Sequence, residues 1–282
     1  MHRWTVPLLL ASHLLWTAAV SADEKELQWY CNLTQSDSVE IKWVETPFGS
    51  LKTLAVVAEE RSPHGALVVF LHADSPFRNP VYQYGIARDI AQFNPDFVAL
   101  SILRPGYADD CGHQSDGLVG RKMGDNYTAT VVSALVDTIR AAQREWRTDQ
   151  TIVIGHSGGA ALAALIASLD PDVQDRTVLV ACPCDLSSWR KSMAELTLNS
   201  RWLEPMPGLS PVDHVEGLDP AKRIDLWVGN DDVVTPLFLS EAYAEKAEQS
   251  GKKVTVQLVV DGEHDMILRA DTLVQILESL AD

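Results

Sequence analysis

The stretch 151-TIVIGHSGGAALAALIASL-169 decides how this chain folds. Residues 151–154 (TIVI) form a short apolar run with no alternation, which predicts a strand buried on both faces. Residues 159–169 predict an apolar helix. Between them, Gly155-His156-Ser157-Gly158-Gly159 matches G-x-S-x-G in a strand–turn–helix setting. A turn this sharp tolerates only small neighbours and holds the Ser157 hydroxyl at its apex. The helix that follows points free N–H groups at the same place. An oxyanion forming there would be stabilised. A Gly-rich turn without chemistry fits the five residues alone, but the flanking strand and helix favour a nucleophile. No G-K-[ST] follows, so the turn is not a phosphate loop.

Outward from this turn, strands and helices alternate. Residues 39–46 and 51–58 flank Pro47-Phe48-Gly49 as an antiparallel hairpin. Apolar runs at 66–71 and 97–102 predict buried strands, and 177–181, 224–229 and 254–260 are strand-like. Helical periodicity marks 81–93, 128–146, 237–249 and 266–280. The pattern predicts an α/β fold with a mostly parallel sheet and helices on both faces. After the sixth strand, the connection to Ile224 is too long for a plain loop. It predicts a cap-like helical insert at 183–219, carrying Trp189, Met193, Trp202 and Met206. A lid over a pocket and a structural cover for the core fit that insert equally well.

Ser157 needs a base and an orienting acid, because a serine hydroxyl is a weak nucleophile at neutral pH. The strand ending at Gly229 runs into Asn230-Asp231-Asp232-Val233-Val234-Thr235-Pro236. The last strand runs into Asp261-Gly262-Glu263-His264-Asp265. Ser157, an acid and His264 thus follow one another on three late strand ends.

These residues resemble the α/β-hydrolase family across the whole chain from residue 39 to the last helix. The resemblance implies a nucleophile elbow at Gly155–Gly159 with Ser157 as nucleophile. The family's G-x-x-D-x-x-V/T-P falls on Gly229, Asp232, Thr235 and Pro236, which makes Asp232 the triad acid; Asp231, adjacent and equally acidic, is the rival. Its late G-x-H falls on Gly262-Glu263-His264, which makes His264 the base. Its His-Gly-X oxyanion segment is matched by His72-Ala73-Asp74, with Ala73 in place of glycine. That implies an oxyanion hole from the N–H groups of Asp74 and Gly158. Arg104-Pro105-Gly106-Tyr107 is similar to the turn after the family's fourth strand. The implied activity is acyl-ester hydrolysis through an acyl-enzyme, with no metal and no organic cofactor. A peptidase or aminopeptidase of the same fold is the alternative, and a non-catalytic binding protein on this scaffold is a third. The substrate expected is a small acyl ester or short peptide.

The remaining features bound the setting. A basic start, an apolar run from Val6 to Val20 and Val20-Ser21-Ala22 make residues 1–22 a signal peptide, leaving 23–282 as the hydrolase domain. The expected location is periplasmic or secreted, with no stable membrane insertion after cleavage. With 23 Lys+Arg against 39 Asp+Glu the net charge is −16, which disfavours nucleic-acid partners. Export permits disulfides among Cys31, Cys111, Cys182 and Cys184. Cys182 and Cys184 are too close in sequence for an easy bridge, so pairing of that pair with Cys111 and Cys31 is expected. Asn32 and Asn126 begin glycosylation sequons. His64, His113 and His214 read as surface residues, and His72 and His156 as structural supports.

Overall fold

A computed structural model describes residues 31–280, apart from 33–37, 59–60, 62–64, 76–77, 121–123 and 125. The signal segment 1–22, the Leu33-Thr34 part of the first sequon and His64 lie outside the described residues.

The elements in chain order are β1 (Val39–Thr46), β2 (Gly49–Val57), β3 (Ala66–Leu71), α1 (Tyr82–Phe93), β4 (Val98–Ile102), α2 (Ala129–Trp146) and β5 (Gln150–His156). There follow α3 (Gly158–Leu169), β6 (Arg176–Val180), α4 (Leu186–Thr197), β7 (Arg223–Gly229), α5 (Leu237–Gln249), β8 (Lys253–Val259) and α6 (Ala270–Ser279). The strands form one eight-stranded sheet in the order β1-β2-β4-β3-β5-β6-β7-β8. β1 pairs with β2, and β2 with β4, antiparallel; every other pairing is parallel.

Side chains of a strand alternate between faces, so a strand covered on both sides must be apolar throughout. β3 shows this directly. Leu67, Val69 and Leu71 enter one core with α2, α3 and α5, whereas Ala66, Val68 and Phe70 enter the other with α1 and α6. α2 starts at Thr128, whose side chain accepts the Val131 N–H, and stops at Arg147 in a left-handed conformation. The parallel strands β5, β7 and β8 end on one edge of the sheet, where their following loops carry Ser157, Asp232 and His264. In open parallel sheets this carboxyl edge is where sites are built.

The 183–219 insert folds as α4 followed by two 3-10 turns, Ser200–Leu203 and Pro211–Gly217. Leu186, Trp189 and Met193 of α4 are buried in the same core as α2 and α3. The inner side of the insert is therefore a structural cover.

The expected disulfide pairing is corrected. Cys31 bonds to Cys111, and Cys182 bonds to Cys184. The close pair closes because the backbone at Pro183, the one residue between the cysteines, is bent rather than extended. That brings the two Cα atoms to 5.1 Å, inside the range a disulfide spans.

A buried cluster unmarked by any motif lies beside β2. Lys52 Nζ is fully buried and paired with the Asp109 carboxylate, with Tyr84 Oη at 3.0 Å and His113 Nδ1 at 3.1 Å. Burial pushes the Lys52 ammonium below its ordinary pKa, and the hydrogen bond and charge of Asp109 oppose that. His113, expected at the surface, is half-buried against this pair. The cluster fixes the 104–116 loop, which carries Cys111. Asn126 of the second sequon is buried, with its side-chain N–H directed at Pro105 O, so the folded chain offers no glycan acceptor there.

Candidate active site

Ser157 is the residue between β5 and α3 and has φ 51° and ψ −116°. A non-glycine residue in this region costs on the order of 1–3 kcal/mol and persists only where its surroundings impose it. They do: the Ser157 N–H donates to Val180 O at 2.8 Å, and its carbonyl accepts from Ala160 and Ala161. The small neighbours are required by close approach. A methyl on Gly155 would lie 2.3 Å from Gly159 O, and one on Gly159 would lie 2.1 Å from Leu71 O.

The structure brings the three residues of the expected triad together. His264 Nε2 is 2.9 Å from Ser157 Oγ, and His264 Nδ1 is 3.0 Å from Asp232 Oδ2. Asp232 is buried, whereas Asp231 is exposed and donates its backbone N–H to Gly262 O. The geometry thus selects Asp232 over its neighbour. Its Oδ1 accepts the N–H groups of Val234 and Thr235, both at 2.8 Å, and its Oδ2 accepts the Thr235 hydroxyl at 2.6 Å.

The electrostatics follow from these contacts. Burial acts to raise the Asp232 pKa, but His264 and the Thr235 donors outweigh it and hold the carboxyl down at about 2. Burial acts to lower the His264 pKa, but the Asp232 charge and hydrogen bond outweigh it and raise the imidazole above its ordinary value. The Asp232 carboxylate fixes the resting proton on Nδ1, leaving the Nε2 lone pair facing Ser157.

Asp74 and Gly158 also meet at this point. A methyl on Gly158 would lie 2.1 Å from Asp74 Oδ1 and 2.7 Å from the Tyr127 hydroxyl. The Asp74 carboxylate is tied on every side: Oδ1 accepts from Arg104 Nη2 at 2.9 Å, and Oδ2 from Tyr127 Oη and the Gly124 N–H, both at 2.8 Å. Arg104 is fully buried and also donates through Nη1 to His72 O at 2.8 Å and through its backbone N–H to His72 Nε2 at 3.1 Å. Arg104 therefore holds the whole His72–Asp74 segment. Gly158 is the first residue of α3, one of the helix-start positions whose N–H has no intrahelical partner.

Two further contacts were not visible in the sequence. His156 Nδ1 lies 2.9 Å from the Tyr82 hydroxyl, which accepts the Ala73 N–H at 2.7 Å, and His156 Nε2 lies 3.1 Å from His264 O. His156 thus links the segment before Asp74 to the loop of His264. Burial depresses its pKa to about 4. His72 is likewise buried and depressed, by desolvation first and Arg104 second. Trp189 of the insert donates its indole N–H to Val234 O at 2.9 Å, and its ring lies 2.7 Å from where a Gly124 methyl would stand.

No protein-family model matches the chain, and no curated protein matches it in sequence. Solved structures match in fold. Est1E from Butyrivibrio proteoclasticus, with ferulic acid bound, superposes with a TM-score of 0.66 at 12% identity, over 85% of this chain and 97% of that one. An esterase of Pyrococcus furiosus superposes at 0.64 and 13% identity, covering 93% of each chain. A puromycin-hydrolyzing peptidase of Mycobacterium tuberculosis superposes at 0.66 and 17% identity, over 85% of this chain but 38% of that longer one.

Proposed function

We propose that this chain, which has the α/β-hydrolase fold, is an exported serine hydrolase cleaving a carboxylic ester through an acyl-enzyme on Ser157. The observation carrying the proposal is the hydrogen-bond chain Ser157–His264–Asp232, with the serine at the apex of an imposed turn. As Ser157 Oγ bonds to the ester carbonyl carbon, its proton passes to His264 Nε2. The charge arising on the carbonyl oxygen faces the N–H groups of Asp74 and Gly158. Collapse breaks the bond to the alkoxy oxygen, which leaves with the proton from Nε2. Water, deprotonated by His264, then attacks the acyl carbon and releases the acid. Asp232 keeps the imidazole oriented and stabilises its cation. These residues need no metal for any step.

Ester over amide is favoured by coverage: the superposition spans 97% and 93% of the Est1E and Pyrococcus esterase chains but 38% of the peptidase chain. Export is supported by the sequence pattern of residues 1–22 and by two disulfides, which persist in oxidising compartments. Among the described residues no helix is long and apolar enough to cross a membrane.

The test is fluorophosphonate labelling of the parent beside Ser157→Ala. The parent labels and the variant does not; equal labelling of both would overturn the assignment. A pH series adds a second expectation. Only neutral His264 accepts a proton, and its pKa is raised, so kcat/KM falls as pH drops through a midpoint above the ordinary histidine value near 6.5. Asp232, held near 2, stays ionised throughout that range. A midpoint below 6 would contradict the pairing.

A further inference from the structure

We propose that His156, His264 and Asp265 form an inhibitory site for a borderline divalent metal ion, Zn²⁺ above all, seated on the base of the triad. One ligand atom from each residue lies within 4.8 Å of the others. Two donors on a tetrahedral zinc with bonds of about 2.0–2.2 Å stand roughly 3.3–3.6 Å apart. His156 Nε2 and Asp265 Oδ1 are 3.7 Å apart, close to that spacing. The two imidazole centroids are 5.5 Å apart. Asp265 is 47% exposed, so its carboxylate can turn inward and an ion can enter from solvent past it.

Both histidines already have the outer partners that metal-ligating imidazoles need. The Nδ1 side of His264 faces the Asp232 carboxylate, which leaves the Nε2 lone pair, shared with the Ser157 hydroxyl at 2.9 Å, as the ligand an ion takes from the serine. The Nδ1 side of His156 faces the Tyr82 oxygen, which is itself anchored by the Ala73 N–H. Moving the His156 proton from Nε2 to Nδ1 turns the Tyr82 hydroxyl proton aside, gives up the Nε2 hydrogen bond to His264 O, and presents the Nε2 lone pair to the ion. The tautomer changes and no proton is lost. The carboxylates of Asp265 and Asp232 and a chain charge of −16 favour a cation here. Two imidazoles and one carboxylate suit zinc, whereas Mg²⁺ and Ca²⁺ require oxygen ligands. An ion on His264 Nε2 takes the base away from Ser157, so occupancy stops turnover.

Inhibition rests on the hydrolase proposal; binding does not, and the experiment separates them. Untagged Ser157→Ala protein is titrated with Zn²⁺ by calorimetry, beside Ser157→Ala/Asp265→Asn. The expected result is one ion bound by the first and at least about tenfold weaker binding by the second. In parallel, Zn²⁺ inhibits ester hydrolysis by the parent, EDTA reverses it, and Mg²⁺ has no effect. Asp265→Asn keeps the uninhibited rate within about twofold and resists zinc at least about tenfold better. Equal zinc affinity in the two Ser157→Ala backgrounds, no binding by either, or equal inhibition of parent and Asp265→Asn would overturn the site. A parent that hydrolyses no ester would bring down the hydrolase proposal alone, since the calorimetry still decides the site.

Discussion

A His264→Ala variant turns over an acyl ester about 10⁶-fold more slowly than the parent, and Asp232→Asn about 10⁴-fold more slowly. The difference follows from what each contact does. His264 Nε2 at 2.9 Å is the acceptor for the Ser157 proton, and its loss leaves an unactivated hydroxyl. Asparagine at 232 keeps the shape but offers no charge, so it neither fixes the Nδ1 tautomer nor stabilises the imidazolium. Because Asp232 also raises the His264 pKa, the residual activity of Asp232→Asn has its pH midpoint shifted downward. Asp231→Asn stays within about twofold, because that side chain is exposed and outside the chain of hydrogen bonds. Serine and histidine act as a unit, so a Ser157→Ala/His264→Ala double variant is hardly slower than either single. Steady-state kinetics on the same ester check all four. A larger loss in Asp231→Asn than in Asp232→Asn would reverse the assignment.

Arg104→Met destabilises the fold by about 3–5 kcal/mol, the scale for removing one partner of a buried ion pair. Arg104 is fully buried, and its loss leaves the Asp74 carboxylate, only 6% exposed, without its cation. It also takes the Nη1 donor from the His72 carbonyl, whereas the backbone N–H that reaches His72 Nε2 is kept. Adding Asp74→Asn removes the uncompensated charge and restores part of the loss, which urea unfolding of the single and double variants would measure. The kinetic effect has its own signature. In the proposed mechanism the segment held by Arg104 supplies an oxyanion donor, and that charge exists only in the transition state. Arg104→Met therefore lowers kcat by about 10²-fold with little change in KM. An unchanged kcat in folded variant protein would show that Arg104 does not position the segment.

The site divides into parts that the sequence displayed and parts it concealed, for a physical reason. Gly155–Gly159 is a local solution to a local problem, a sharp turn between strand and helix, so spacing and residue size reveal it. Asp232 and His264 sit at fixed offsets from the ends of β7 and β8, and strand periodicity locates those ends. The network of Asp74, Arg104, Tyr127 and Gly124 has no such local mark. Asp74 stands 30 residues from Arg104 and 53 from Tyr127, and only the packing of the loop after β3 against the long loop after β4 brings them together. Lys52 and Asp109, 57 residues apart, were hidden for the same reason. The Cys182–Cys184 bond is hidden because its feasibility depends on how sharply the backbone bends at the single residue between them, Pro183, which spacing alone does not report.

Trp189 bears on how the chain can change. Its indole N–H is fastened to Val234, two residues from Asp232, and its ring fills the space over Gly124, whose N–H holds Asp74. One side chain is thus mortised into the supports of both the acid and the oxyanion donor. A drift in substrate preference achieved by repacking α4 would disturb the chemistry with it. The outward residues of the insert, such as Leu196, Leu198 and Leu203, are exposed and tolerate change more freely. A mutational library confined to those positions would conserve rate; one that includes Trp189 would lower it.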